Sequence, residues 1–497
     1  MNIQKAKTEI IHTVKAYLAK DEYGAYRIPE MRQRPILLMG PPGIGKTQIM
    51  TQVAHECDIA LVSYTMTHHT RQSAMGLPYI VQKKIGGREC SVTEYTMSEI
   101  IAAVYDKMET TGLKEGILFM DEINCVSETL APTMLQFLQM KRFGNQKLPS
   151  GWIIVAAGNP PEYNKSVREF DMVTLDRVKK ISIKPCYDVW RAYAYEVGIH
   201  DAILSYLQIK PQNFYKAETT VDGMQFVTAR GWEDLSELLY VYEDMDISVD
   251  ADITAEYLQC PDIAKDFANY LDLYRKYRHD YSIDGIIKGD FHNIFYRRLS
   301  DAPFDEKLSV IGLLVSAVSS RCRTALDDEL YAEELHDILM YVRDAAAAGA
   351  SVVSRLGLVY DDRENTFEAD QKEGNTPERE ILIQRRLLMT LRSYIENMED
   401  SGHDNFEEVR CFFASERQAL DTVINTASAA LDNAFSFIEM TFGDSQEMVV
   451  FVTEMSINPD TVRFIAEYGC DKYDIYNRRL LTSVTEREIL NDIKNLR

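Results

Sequence analysis

Residues 34–47 read Arg34-Pro-Ile-Leu-Leu-Met-Gly-Pro-Pro-Gly-Ile-Gly-Lys-Thr47. The apolar run at residues 35–39 predicts a buried strand, and the eight residues after it fit the pattern G-x-x-x-x-G-K-[ST]. In such a loop the glycines let backbone N–H groups surround a polyphosphate, and the helix that follows adds a favourable dipole. The predicted phosphate-binding residues are Gly40, Pro41, Pro42, Gly43, Ile44, Gly45, Lys46 and Thr47. Lys46 can reach the β and γ phosphates, and the Thr47 hydroxyl can ligate Mg²⁺.

Strands and helices alternate around this loop. Apolar runs predict strands at residues 35–39, 59–63, 116–120, 152–157 and 178–183. Helical spacing or helix-length segments occur at residues 1–20, 47–55, 97–108 and 127–140. This alternation predicts an α/β domain with a mostly parallel sheet.

Two segments depart from the alternation. Residues 78–96 are predicted to form two strands joined at Gly86-Gly87, and residues 141–151 are predicted to form a second small hairpin or a loop. From about residue 185 onward the apolar residues follow a helical period nearly throughout. Within that region, residues 361–380 are charged and poor in apolar side chains, so we expect an exposed loop or linker there.

The length of 497 residues is enough for about three domains. We expect an α/β nucleotide-binding core at residues 1–184, a helical lid at residues 185–284 and an acidic, mainly helical domain at residues 285–497. The net charge is −23, of which about +3 falls in residues 1–190 and about −26 in residues 191–497. Such an acidic surface repels phosphates over most of its area, which disfavours nucleic acid as a partner.

The eight cysteines are scattered and include no C-x-x-C pair, which predicts reduced, mostly buried thiols. The first 20 residues carry charges every few positions, unlike a signal peptide. The longest apolar-rich run, residues 308–318, is too short to span a bilayer. We therefore expect a cytoplasmic protein with no membrane partner.

Two carboxylates, Asp121 and Glu122, follow the third predicted strand. An apolar run followed by Asp-Glu is weak evidence alone, since it also describes a plain strand-to-loop edge. After a complete phosphate loop, however, the pair is typical of a site in which Asp121 holds Mg²⁺ through water and Glu122 polarises the attacking water.

Asn159 follows the fourth predicted strand in the sequence Gly158-Asn-Pro-Pro161. Asn before proline is a common turn starter, which would favour a purely structural role. Its position relative to the other motifs favours a second interpretation, in which the side chain orients the lytic water or contacts the γ-phosphate.

These motifs resemble those of the AAA+ ATPases, and more narrowly those of the MoxR-like group, over roughly residues 1–275. The resemblance rests on residues 34–47, Gly76-Leu-Pro78, Leu118-Phe-Met-Asp-Glu-Ile-Asn124, Ala157-Gly-Asn-Pro160 and Leu175-Asp-Arg177. It implies an AAA+ core whose nucleotide site lies between neighbouring subunits of a ring, usually a hexamer. It also implies ATP and Mg²⁺ as cofactors and Asn159 as the first sensor; the phosphate loop itself does not distinguish ATP from GTP.

The resemblance also gives roles to two arginines. Arg177 matches the LDR element, which implies an arginine finger supplied to the neighbouring subunit, with Arg168 as the second candidate. Without the family, an ordinary ion pair beside Asp176 would be the favoured interpretation of Arg177. Arg230, at the start of a predicted lid helix, is similar to the second sensor, although an arginine in that position is more often merely solvated.

MoxR-like proteins typically act as chaperone-like remodelling machines with a partner that carries a von Willebrand factor A domain. They also carry a hairpin and a second element at the places of the two inserted segments, where these commonly face a pore or a client. The resemblance therefore implies an ATPase that remodels or matures a protein client. The alternatives are an AAA+ motor acting on nucleic acid and a metal-chelatase subunit. Neither the client nor the role of the C-terminal domain follows from the sequence.

Overall fold

The computed structural model describes residues 1–68, 71–86, 88–143, 146–163, 167, 169–220, 223–291, 293–373, 378–402 and 404–480. The chain divides into two compact units. The first contains Met1–Tyr193 and Lys210–Ala268, and the second contains Ala194–Ile209 and Asn269–Arg497. The division into core, lid and C-terminal domain remains a prediction.

The bounds of the secondary-structure elements are as follows. The strands are β1 (Ile36–Met39), β2 (Ala60–Thr65), β3 (Pro78–Ile85), β4 (Arg88–Tyr95), β5 (Gly116–Asp121), β6 (Arg142–Phe143), β7 (Gln146–Lys147), β8 (Trp152–Gly158), β9 (Lys179–Ser182), β10 (Lys216–Thr220) and β11 (Gly223–Val227). The helices are α1 (Ile3–Leu18), α2 (Lys46–Glu56), α3 (Arg71–Met75), α4 (Glu99–Thr111), α5 (Ala131–Met140), α6 (Met172–Leu175), α7 (Tyr187–Val197), α8 (Asp201–Ile209), α9 (Ala229–Asp244), α10 (Ala251–Tyr257), α11 (Pro261–Asp280), α12 (Ile283–Lys288), α13 (Asn293–Ser300), α14 (Phe304–Ala347), α15 (Val352–Glu373), α16 (Glu378–Ser401), α17 (Phe406–Phe442), α18 (Gln446–Ile457) and α19 (Pro459–Tyr468). Residues 471–480 are helical as well.

A five-stranded parallel sheet in the order β2-β5-β8-β1-β9 forms the centre of the first unit. Residue Ile36 of β1 pairs with Val155 of β8 on one side and with Lys179 of β9 on the other. All five predicted strands are present, so the prediction of an α/β core with a parallel sheet is confirmed. The order places β8 between the strand that precedes the phosphate loop and the strand that ends in Asp121.

Alternating side chains of the strands supply two apolar layers, one on each face of the sheet. In β5, Leu118 and Met120 lie in one layer, whereas Ile117 and Phe119 lie in the other. Helices α4 and α5 cover the first layer, and α1 and α2 cover the second. Because both faces are covered, the strands are continuous apolar runs, which is why the sequence identified them.

The two inserted hairpins are also present. Strands β3 and β4 pair antiparallel from Pro78↔Tyr95 to Ile85↔Arg88, and β6 pairs with β7. The predicted turn at Gly86-Gly87 is described only at Gly86, where φ is +57°; Gly87 lies outside the described residues. The prediction of two hairpins is therefore confirmed in the residues that flank the turns.

The region after residue 185 is mainly helical, as predicted, but two segments within it differ from the prediction. Strands β10 and β11 form an antiparallel hairpin inside the region predicted to be helical nearly throughout. Of residues 361–380, predicted as an exposed loop or linker, residues 361–373 continue helix α15 and residues 378–380 begin α16, whereas residues 374–377 lie outside the described residues. The charges of this segment do not prevent a helix, because Glu, Gln, Lys and Ala are good helix formers. In addition, the Arg363 guanidinium forms an ion pair with Glu334 of α14, with 3.1 Å between a guanidinium nitrogen and the carboxylate oxygen Oε2.

Every secondary-structure element in the described part of the second unit is a helix, so the prediction of a mainly α-helical C-terminal region is confirmed. Its longest helix, α14, has 44 residues and buries side chains along most of its length. The carboxylate of Asp460 is buried but doubly paired, with Arg323 Nε at 2.7 Å and an Arg379 amino group at 3.1 Å. Pairing both oxygens offsets the cost of removing this charge from water.

The eight cysteines are free thiols, as predicted, but only three are buried, three are half-buried and two are exposed. No helix within the described ranges combines the length and the apolar composition needed to cross a bilayer.

Lys141 is a buried cation at the opposite end of the sheet from the phosphate loop. Its backbone is left-handed (φ +50°), and its amino group donates to Gln33 Oε1 at 3.0 Å and to the Trp152 carbonyl at 3.2 Å. Burial lowers the pKa of Lys141 to about 8, although the Glu30 carboxylate opposes the change. In the unfolded chain the pKa of this lysine has its ordinary value of 10.5. Between about pH 8 and pH 10.5 the unfolded state therefore binds more protons than the folded state.

The free energy of unfolding should therefore rise with pH in this window, since the cost of the buried charge is fully present below pH 8. Relative to Lys141→Met, we expect the wild-type protein to gain roughly 1–3 kcal/mol between pH 7.5 and pH 10. Urea unfolding followed by tryptophan fluorescence measures this, because all three tryptophans lie in the first unit. The exposed Lys84→Met serves as the control, and equal pH dependence in both variants would contradict the expectation.

Candidate nucleotide site

The phosphate loop, residues 40–47, connects β1 to α2. Gly43 and Gly45 have left-handed backbones, with φ +70° and +80°, and Gly45 is the residue before α2. A Cβ atom at Gly43 would lie 2.9 Å from Cβ of Thr228, so a side chain there would be strained and crowded. The free N–H groups of the first turn of α2 point out of the loop end, where they favour an anion.

Lys46 is buried beneath the loop. Its amino group donates three hydrogen bonds of 2.8 Å, to the carbonyls of Gly40 and Pro41 and to Asn159 Oδ1. Burial lowers the pKa of Lys46 to about 8; the Asp121 carboxylate opposes this change and Arg230 adds to it. The cation is thus held against the backbone of the loop, where phosphate oxygens could replace its present acceptors.

Thr47 and Asp121 supply oxygen atoms at the carboxyl end of the sheet. The Thr47 hydroxyl donates to Asp121 Oδ2 at 2.8 Å. A hydroxyl and a carboxylate are oxygen ligands of the kind Mg²⁺ takes, together with water and substrate phosphates. This pair therefore fits Mg²⁺, which would neutralise charge on a bound polyphosphate.

Glu122 directly follows the end of β5. Its backbone N–H donates to Asp121 Oδ1 at 2.8 Å, and its φ of +54° is unusual for a residue other than glycine. Backbone strain of this kind is concentrated at functional sites, where the surrounding structure compensates for it. The left-handed turn directs the chain out of the strand immediately after Asp121.

Asn159 follows β8 and lies between the two halves of the site. Because β8 is placed between β1 and β5, the residue after β8 is close both to Lys46 and to the turn after β5. The hydrogen bond from Lys46 to Asn159 Oδ1 joins residues that are 113 positions apart in sequence. The structure thus brings the four residues Lys46, Thr47, Asp121 and Asn159 together.

Arg230 lies beside the phosphate loop but belongs to α9, which is not one of the elements that follow the strands of the parallel sheet. It lies in the first turn of α9, which is capped by the Thr228 hydroxyl accepting from Gly231 N–H. A Cβ atom built on Gly43 would lie 3.5 Å from Cβ of Arg230. The side chain is exposed and near enough to Lys46 to affect the pKa of that group. The structure therefore brings Arg230 to the loop of its own chain.

Arg177 lies apart from this cluster. It follows the short helix α6, and its guanidinium hydrogen-bonds to Gln139 of α5. The neighbouring side chains Met172 and Val173 are 86% and 57% exposed, respectively, on an apolar surface beside it. The second candidate for an arginine finger, Arg168, lies outside the described residues.

Three further residues touch the site but were not singled out for it from the sequence. Asn124 donates to the Asn159 carbonyl, Thr228 packs against Gly43, and the Tyr215 hydroxyl donates to the Pro42 carbonyl at 3.1 Å. Asn124 stands within the motif of residues 118–124, and Thr228 precedes Arg230 by two residues; a polar residue shortly after a catalytic pair is a usable signal. No sequence signal indicates Tyr215, which comes from a distant loop.

A phosphate loop after β1, an Asp-Glu pair at the end of β5 and a polar residue after the intervening strand β8 define a nucleoside-triphosphate site on a parallel α/β sheet. The sequence model of the ATPase family associated with various cellular activities (AAA) matches residues 36–176, from β1 to the residue before Arg177. This part of the chain is therefore an AAA domain, and the protein is an AAA+ ATPase in the general sense. No curated protein matches the chain.

An AAA domain implies nucleotide binding, typically with Mg²⁺, and ATPase activity, and AAA+ proteins commonly form ring oligomers. The matched segment covers the phosphate loop, Asp121, Glu122 and Asn159.

Proposed function

We propose that this chain is a MoxR-like AAA+ ATPase that couples ATP hydrolysis to the remodelling or maturation of a protein client. Its partner would carry a von Willebrand factor A domain. The observation that carries the narrower assignment is the pair of hairpins, β3–β4 and β6–β7, inserted before α4 and before β8. Their places agree with those of the inserted elements of MoxR-like proteins.

Hydrogen bonds of one side chain, Gln146, connect the two hairpins. The Gln146 side chain of β7 accepts from the Ser98 N–H at 2.6 Å and donates to the Thr96 carbonyl at 2.6 Å. One amide thus ties the second hairpin to the base of the first. Ile80 of β3 is 76% exposed, which supports contact of this structure with a client polypeptide.

Within one subunit we assign ATP binding to the loop residues Gly40 to Thr47 and Mg²⁺ binding to Thr47 and Asp121. Glu122 is the general base for the attacking water, and Asn159 orients that water or the γ-phosphate. Arg230 reaches the γ-phosphate from the same chain, as its position beside Gly43 supports.

We assign Arg177 to the site of a neighbouring subunit. Its separation from the cluster around Lys46 supports this, as do the exposed Met172 and Val173, which a neighbouring copy would cover. The proposed assembly is a ring, usually a hexamer in this group. The acidic C-terminal domain would then serve as a docking surface for the protein partner.

The function is tested by measuring steady-state ATP hydrolysis by the full chain under several conditions. We expect a von Willebrand factor A-domain protein from the same organism to bind the chain and to change its rate several-fold. Single-stranded DNA, double-stranded DNA and RNA should leave the rate unchanged. Lys46→Ala, which removes the cation that contacts the phosphates, is the control for contaminating ATPases. Stimulation by nucleic acid without an effect of the protein partner would favour a motor instead.

A further inference from the structure

Asn124 lies two residues beyond Glu122 in the turn after β5, and its side chain is almost fully buried, at 2% exposure. Its amide nitrogen Nδ2 donates to the backbone carbonyl of Asn159 at 2.7 Å. One residue earlier, the Ile123 N–H donates to the Ala157 carbonyl at 2.9 Å. The turn that contains Glu122 is therefore fastened to the end of β8 by two hydrogen bonds.

The Asn124 side chain is closely packed against Gly158. A Cβ atom at Gly158 would lie 2.5 Å from Asn124 Oδ1, a distance that side chains do not tolerate. Position 158 therefore has room only for glycine while Asn124 keeps its place. The amide thus packs with Oδ1 towards Gly158, and Nδ2 reaches the Asn159 carbonyl.

The Oδ1 atom of Asn124 has no hydrogen-bond partner among the residues that the structure describes. A buried acceptor without a partner lowers stability, and an apolar side chain at this position would avoid that cost. Asn124 therefore lowers the stability of the fold through its unpaired Oδ1, and within the described part of the chain the only hydrogen bond of its side chain is the one that Nδ2 donates to Asn159. This combination points to a role for that bond in the site.

We propose that Asn124 is a positioning residue for ATP hydrolysis, which fixes the backbone of Asn159 so that its side chain points at the reacting phosphate. The path is short: Nδ2 of Asn124 holds the Asn159 carbonyl, and Asn159 Oδ1 in turn accepts from Lys46. This inference rests on the proposed role of Asn159. Asn124 itself does not touch the nucleotide.

A double-variant cycle on the full chain tests the proposal. We expect Asn124→Ala to lower kcat at least tenfold while KM and the Kd for ATP change less than threefold. In an Asn159→Ala background the same substitution should cause no further loss, because Asn124 acts only through Asn159. Asn124→Leu keeps the approximate size of the side chain, is uncharged and lacks the N–H donor, so it should behave like Asn124→Ala and serves where the alanine variant does not fold.

Asn458→Ala is the matched control. Asn458 is equally buried, and its Oδ1 accepts from the N–H groups of Asp460 and Thr461 in the second unit. It should lower the melting temperature without lowering kcat. A full, independent loss from Asn124→Ala in the Asn159→Ala background, or no loss in the wild-type background, would overturn the positioning role alone. A wild-type rate in Asn159→Ala would overturn the role of Asn159 and the positioning role with it.

Discussion

Replacing Arg177 by alanine is expected to lower kcat for ATP hydrolysis by about a thousandfold or more, which is the loss typical of a missing arginine finger. The Kd for ATP should change little, because the residue does not contact the phosphate loop of its own chain. Arg297→Ala, which changes an exposed arginine of α13, should keep the wild-type rate. Arg168→Ala decides between the two candidates for the finger.

Mixing Arg177→Ala with Glu122→Gln subunits tests whether the finger acts on a neighbouring subunit. Each variant alone lacks one half of every site. In a mixed ring, some interfaces pair an intact Glu122 with an intact Arg177, so activity should return. Native mass spectrometry shows whether subunits have exchanged. Mixed rings that stay inactive would contradict the role in trans.

Glu122→Gln should slow hydrolysis at least about a hundredfold while nucleotide binding is kept. Glutamine has nearly the shape of glutamate, but a neutral amide does not accept the proton of the attacking water. Single-turnover hydrolysis and equilibrium binding of ATP measure the two effects separately. Lys46→Ala should show the opposite pattern, with weakened binding as its first effect.

Glu128→Gln is the control for Glu122→Gln, since Glu128 is an exposed carboxylate in the same β5–α5 connection. Its rate should equal that of the wild-type protein. Unchanged turnover in Glu122→Gln would show that another group activates the water.

The parallel sheet was predictable because its strands carry their own signal. β8 buries all seven of its residues, so its sequence is a continuous apolar run. β10 was missed because it is a polar, half-exposed strand, Lys-Ala-Glu-Thr-Thr, stabilised by pairing with β11. Residues 361–373 were misassigned because composition alone does not show a pairing such as Arg363 with Glu334 of α14.

In the candidate site, too, local motifs could be predicted from the sequence, whereas long-range contacts could not. The phosphate loop and the Asp121-Glu122 pair are local motifs, and each was identified from a few consecutive residues. The contact of Tyr215 with Pro42 joins residues 173 positions apart, and the Asn124 bond to Asn159 spans 35. Such contacts depend on strand order and on loop paths, which no local pattern encodes.

Residues 194–209 belong to the second unit, but the ribosome makes them before residues 210–268 of the first. Helix α8 therefore emerges with apolar side chains such as Ile203 and Leu207 that are fully buried in the finished protein. Part of their cover is α14, where Gly312 packs against Ser205. At synthesis rates of about 5–20 residues per second, roughly 5–20 s pass between the synthesis of α8 and the synthesis of the part of α14 that covers it. A nascent chain that stops near residue 268 would contain every segment of the first unit and would still expose α8 to chaperones and to aggregation.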